Sequence, residues 1–175
     1  MANKIKVQVD GGGARNKINS LLASAGDMRP VFATVGRVIK ARIQLCFKLG
    51  IDPWGSPWAA LKIRKGQPLR DTGLLQRSIT YKPDQTGVTI GTNQMPRAAV
   101  HQFGAVIKPK NAKQLVFPGP GGRLIFAKKV TIPARPFMPL TKGSNVVALP
   151  PQWSAAVTNA LKQYFRGAAK KAEGG

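Results

Sequence analysis

"SITYKPDQTGVTIGTNQMPRAAVHQFGAVIKPK", residues 78–110, places a strand pair, a helix and a further strand in one uninterrupted run. Ile79 and Tyr81, then Val88 and Ile90, alternate with polar neighbours on either side of the turn sequence PDQTG. That period of two is the mark of an antiparallel hairpin with one buried face. Pro96 suits a first helical turn and Gly104 supplies a stop, so the spacing predicts a two-turn helix over Arg97–Phe103. "AVIKPK" then reads as strand.

The run also holds the only histidine of the chain, His101, beside Gln102 and Phe103. An imidazole titrates near neutrality, which invites a catalytic reading. Against it, no carboxylate, cysteine or second histidine lies nearby in sequence to orient the ring. His101 sits near a helix C-terminus, where its protonated form is favoured but no nucleophile is adjacent. "HQFG" therefore reads as a helix-to-strand corner: Phe103 is expected in the core, and His101 and Gln102 are expected to hydrogen-bond locally or across a subunit boundary. On this reading His101→Asn changes nothing and Phe103→Ala costs ~3 kcal/mol or more.

Downstream, "NAKQLVFPGPGGR" is a basic, Gly/Pro-rich excursion, "LIFAKKVTI" a strand, and "PARPFMPL" the segment expected to close the sheet. Pro150 and Pro151 open a final amphipathic helix with Trp153, Val157, Leu161 and Tyr164 or Phe165 inward. From Gly167 on, the tail is small, basic and expected to fray. Upstream, residues 69–80 form a short helix or turn feeding the hairpin. "IDPWGSPWAALK", residues 51–62, cannot be regular, because Pro53 and Pro57 lack N–H donors and disfavour helix in the residue before each. Trp54 and Trp58 are expected to plug the core rather than stack on bases. Before that loop, Asp27 caps a long helix with an apolar stripe at Val31, Val35, Val38, the Arg42 stem, Leu45 and Leu49, ended by Gly50. Its other face carries Arg37, Lys40 and Lys48. Near the start, Ile5, Val7 and Val9 mark a short strand, and residues 16–24 a short helix.

Composition bounds the chemistry. The chain has 175 residues, enough for one domain with a real core, and no run approaches the ~20 apolar residues of a membrane-spanning helix. The alternation in "MANKIKVQVD" is unlike a secretory signal, so a cytoplasmic setting is expected. There are 28 Lys and Arg against 6 Asp and Glu, a net charge of +22. So large an excess implies a polyanion nearby, and its scatter along the chain implies a broad basic surface rather than a sequence-reading element. Carboxylates at Asp10, Asp27, Asp52, Asp71, Asp84 and Glu173 are too dispersed in sequence for paired acid/base work or a hard-metal site. The lone Cys46 precludes an intramolecular disulfide and, with one His, makes a zinc site implausible; it reads as a buried, inert thiol. "GGGAR" and "GPGGR" lack the Lys-Ser/Thr of a phosphate-binding loop and read as connectors.

Five motifs, "DPWGSPWAAL", "LRDTGLLQRSI", "VTIGT", "AAVHQFG" and "IPARPFMPL", occur in an order and spacing that resembles the virion morphogenesis family of tailed phages, a Mu-like group that includes tail completion proteins. The residues carrying the likeness include Trp54, Trp58, Asp71, Gly73, His101, Phe103, Gly104, Pro136 and Phe137. The resemblance implies an α+β domain: an antiparallel sheet of four to five strands with helices on one face, like that of tail terminators, spanning residues 1–175. It also implies a ring at the head-to-tail junction that caps the tail tube and docks the head connector. The partners implied are further copies of the chain, as a hexamer, the tail tube protein, the connector or stopper, and genomic DNA passing through without being read; no membrane, cofactor or enzymatic activity is implied. A head-side stopper or adaptor is the close variant. A non-specific DNA-binding protein rests on charge alone, and an enzyme acting through His101 is the weakest reading.

Residues 108–129 depart from the family pattern as a long arm with apolar side chains, expected to be an inter-subunit or tube-contacting hairpin. Lys108, Lys110, Lys113, Leu115, Phe117, Arg123 and Arg135 are the interface candidates. Arg37, Lys40, Lys48, Lys62, Arg64 and Lys65 are the candidates for facing a DNA channel.

Overall fold

The structure, a computed structural model, describes residues 6–7, 27–62, 65–140 and 149–173. Helix α1, Arg29–Leu49, organises it. Pro30 stands in its first turn, where a missing N–H costs nothing. Asp27 precedes the N-cap residue Met28, yet its Oδ1 still accepts the Arg29 N–H at 3.0 Å. The Arg29 guanidinium also grips that carboxylate, holding it down at a pKa of about 2. At the other end Gly50 adopts φ 73°, a left-handed turn that favours glycine, and its N–H and that of Ile51 both donate to Cys46 O. Gln67 Nε2 donates to the Phe47 and Lys48 carbonyls, meeting two of the acceptors a helix end leaves open.

The buried row of α1 is Val31, Val35, Ile39, Ile43, Cys46 and Phe47. Only Val31 and Val35 belong to the stripe read from the sequence. The expected stripe lies ~70° around the helix from the true one, given 100° per residue, and Leu45 and Leu49 stand exposed. Both stripes are apolar at helical spacing, so periodicity alone could not choose between them. Packing chose the row with larger branched and aromatic side chains, each stabilising by about 2 kcal/mol when fully buried. Cys46 is buried, and its thiol is pushed up to about 12 by burial and by Asp52.

Alpha1 packs on strands β2, Thr80–Pro83, and β3, Val88–Gly91. These form the expected hairpin, in register Tyr81 to Ile90 and Pro83 to Val88, with Asp84 N–H closing the turn onto Gly87 O. Beta1, Lys6–Val7, pairs with β3, giving a three-stranded sheet in the order β1-β3-β2. The expected strand and helix over residues 5–9 and 16–24 otherwise lie outside the described residues. Ile79, Val88 and Ile90 are buried beneath α1. Short helix α2, Leu74–Arg77, precedes the hairpin and buries Leu75. Helix α4, Pro151–Glu173, lies against α1 and buries Trp153 and Val157, with Leu161 packed at the edge.

The helix predicted over Arg97–Phe103 is present as α3, ended by Gly104. Its φ of 72° and the 2.9 Å approach of Ile132 O to where a Cβ would stand leave room only for glycine. Strand β4, Ala105–Ile107, pairs with β7, Val130–Ile132. Between them, β5, Leu115–Pro118, pairs with β6, Leu124–Ala127, around a turn at Pro120–Gly122. "LIFAKKVTI" is thus two strands broken at Lys128 and Lys129, and the arm is a nested two-stranded ribbon.

Among the described residues no single sheet of four to five strands forms. The described strands make ladders of three, two and two, and "PARPFMPL" joins none of them. Pro133, Pro136 and Pro139 offer no N–H to a ladder, so this segment runs instead as an extended strap into the core. There Phe137 and Met138 lie buried against Phe47 and its neighbours. The fold is α+β with a helix layer over the three-stranded sheet.

Candidate functional site

Two places could carry function: the corner around the histidine, and the arm. At the corner, α3 points Gln102 inward, not Phe103. Gln102 Oε1 accepts the N–H groups of Phe137 and Met138 at 3.0 and 3.1 Å, and its Nε2 donates to Met138 O at 2.8 Å and Leu140 O at 3.4 Å. One buried amide thereby satisfies the strap, whose prolines deny it a ladder. Phe103, expected in the core, is 38% exposed. The two are neighbours about 100° apart on the helix, so only one can face the strap, and the strap's polar backbone selected the amide.

His101 takes part through its backbone, its carbonyl accepting the Arg135 N–H at 2.7 Å. Its Nδ1 is buried and meets no hydrogen-bond partner among the described residues. Burial first, then the positive charges of Arg135 and Arg97, lower its pKa. Cations rather than a carboxylate face it among the described residues, which disfavours its charged form, and what the corner visibly does is hold the strap through the His101 carbonyl and the Gln102 amide. No group of three or more metal-binding side chains exists among the described residues.

The sign of that shift gives a prediction. The folded state resists protonation of His101, whereas the unfolded chain takes up a proton near the ordinary value of 6.5. Stability is therefore fully present above that pH and declines as the pH falls below it. His101→Gln should flatten the decline in thermal melts run from about pH 8 to pH 5; an unchanged slope would refute the assignment.

Arg135, read as an interface residue, is in the core. It donates from Nε to Ala59 O at 2.8 Å and from Nη2 to Ala60 O at 3.1 Å. Trp58 Nε1 donates to Pro136 O at 2.7 Å, so strap and Trp loop lock together. Trp54 does not plug the core as expected. It is 50% exposed on a turn held by Asp52 Oδ1, which accepts the N–H groups of Trp54 and Ser56. Asp71 is exposed, and Gly73 precedes α2.

The arm is apolar on both faces. In its register, Leu115 opposes Ala127 and Phe117 opposes Ile125 on the half-buried face; Val116 opposes Phe126 and Pro118 opposes Leu124 on the other. Leu124 and Phe126 are each 61% exposed and Val116 is 53% exposed. The sequence-chosen Leu115 and Phe117 are thus on the better covered face, and the open face was missed. The alternation along "LVFP" was the available signal, but only the register says which set faces out. Lys108, Lys110, Lys113 and Arg123 are exposed around it.

Of the channel candidates, Arg37 and Lys48 are exposed on the side of α1 away from its buried row, whereas Lys40 is half-buried at the edge of that row beside Phe47, at 100° per residue. Lys62 and Lys65 are exposed in the following loop, and Arg64 lies outside the described residues.

A model of the phage virion morphogenesis family matches residues 9–148. The chain belongs to this family. Among curated proteins, Mu-like prophage FluMu G protein 2 of Haemophilus influenzae is 32% identical over 149 residues, covering 85% of this chain and 86% of the relative. No solved structure gives a significant match. The chain therefore has a role in building a phage particle, and the family is one of virion-associated, structural proteins. Within such a protein the corner, the strap and the Trp loop hold the core together, and the arm is the surface left open.

Proposed function

We propose that the protein is a ring-forming component of the phage neck, a tail terminator or tail completion protein. It caps the tail tube and joins it to the head connector around the DNA channel. The observation that carries this reading is the combination of an uncovered apolar arm with a charge of +22 on a fold whose single histidine is structural. An exposed apolar surface of this kind marks a contact with another protein. A diffuse basic surface tolerates passing DNA, because phosphate contacts hold position without reading sequence. The basic side of α1 suits the lumen, and the arm suits the joint.

Electron microscopy of particles lacking the protein tests this. Overlong tails mark a terminator, and normal free tails beside filled heads mark a completion factor; emptied heads would move the protein to the head side as a stopper. Normal, joined virions would refute the neck assignment. The charge adds a prediction about the purified protein. Side by side, copies at +22 repel, and salt screens that repulsion within ~3 Å at 1 M against ~10 Å at 0.1 M. Rings counted by negative-stain microscopy should therefore increase with salt or with added polyanion. Rings that dissociate as salt rises would contradict this.

A further inference from the structure

The open face of the β5–β6 hairpin has a distinctive surround. From Ala105 to Ile132 the sequence holds six Lys and Arg and no Asp or Glu. Lys113, Arg123, Lys128 and Lys129 flank the hairpin and are exposed. An occupant must therefore offer apolar side chains to Val116, Leu124 and Phe126 and negative charge to the rim.

A second copy fits poorly. It has 6 carboxylates against 28 cations, and among the described residues Asp27 is engaged by Arg29, Asp52 by the turn at Trp54 and Ser56, Asp84 by Thr86, and Asp71 is not free either. Copy on copy, the rim would meet like charge. Duplex DNA would answer the rim but leave Leu124, Val116 and Phe126 against phosphate and water, with no apolar burial gained.

We infer that the β5–β6 arm docks through Val116, Leu124 and Phe126 into an apolar cleft rimmed by Asp and Glu carboxylates on a different protein. This deepens the neck reading and rests on it for the choice of probe. Charge complementarity at the rim sets the rate and orientation of docking, and the central apolar side chains hold the complex.

The test uses the full chain and two purified probes, tails and DNA-filled heads from phage lacking this protein. Wild type, a Leu124→Ser/Phe126→Ser variant and a Lys128→Glu/Lys129→Glu variant are compared by co-sedimentation. The inference expects wild type to bind one probe, and both variants to lose about tenfold or more in affinity. It also expects both variants to keep the wild-type melting temperature and oligomeric state, and wild-type binding to weaken from about 50 mM to about 500 mM salt. Variants that bind like wild type overturn the arm's role while leaving the neck reading intact. Loss of the oligomer in Leu124→Ser/Phe126→Ser makes the occupant a second copy and overturns the inference. So does a variant that still sediments with the same probe but, in a separate filter-binding assay, loses binding to a purified DNA duplex. Wild type binding neither probe overturns the neck reading and the arm's docking with it.

Discussion

A Gln102→Leu variant is expected to lose about 4 kcal/mol of stability, although leucine is close in volume and more apolar. The side-chain amide meets four backbone groups of the strap, and leucine meets none. The N–H groups of Phe137 and Met138 would be left buried without acceptors, each at a cost of roughly 1–3 kcal/mol, and Met138 O would keep only the Leu140 N–H of its two donors. The gain from extra apolar burial, about 1 kcal/mol, does not offset this. Chemical denaturation measures the loss directly. Gln102→Glu separates hydrogen bonding from packing: the carboxylate keeps both acceptor contacts but opposes Met138 O with a second acceptor. Burial raises the pKa of such a group, so this variant should recover stability as the pH falls and its protonated form donates in place of the amide. Phe103→Ala, next door, should cost under ~1 kcal/mol, since the ring is 38% exposed. If Phe103→Ala proved the more damaging of the two, the inward face of α3 would be misassigned.

What was legible in the sequence was what local chemistry decides. The β2–β3 hairpin follows from alternation around PDQTG, and α3 follows from Pro96 and Gly104; both formed where expected. Burial of Cys46 followed from its apolar helical setting, whereas of the two Trp expected to plug the core only Trp58 does so. Apart from Trp54, which the local turn at Asp52 turns outward, the misses are long-range. Leu45 and Leu49 are as apolar as Ile39, Ile43 and Phe47, and only the sheet and α4 decide which row turns inward, with Val38 left packed at its edge. The strap reads as a strand by its apolar content, but its three prolines require side-chain partners for its backbone, and that need drew in Gln102. The same long-range closure took Arg135 into the core, where Ala59 and Ala60 supply its acceptors. On the arm, composition showed that an apolar hairpin exists; register decided that Val116, Leu124 and Phe126, rather than Leu115 and Phe117, are its open face.

The second large effect is expected at Phe47. Its ring is fully buried at the last turn of α1, edge-on to Trp58 at 5.6 Å between centroids and tilted against Phe137 at 5.2 Å. It therefore joins three parts distant in sequence: the helix, the Trp loop and the strap. Phe47→Ala removes the transfer free energy of the ring and leaves a cavity, together about 4 kcal/mol, with each lost aromatic pair contributing about 1 kcal/mol of that. In a chain of this size the melting temperature should fall by on the order of 10 °C. The cavity cannot collapse easily, because Trp58 is tied to Pro136 O and Phe137 to Gln102 by hydrogen bonds that fix both walls. Phe47→Leu, which keeps most of the volume, should recover more than half of the loss. A double-mutant cycle with Gln102→Leu tests whether the strap is held as a unit: Phe47 stacks on Phe137, and Gln102 binds the backbone of that same residue. Once either contact is gone, the second has less left to hold, so the two losses should sum to more than the double variant shows. Strict additivity would mean that the strap stays seated on one contact alone.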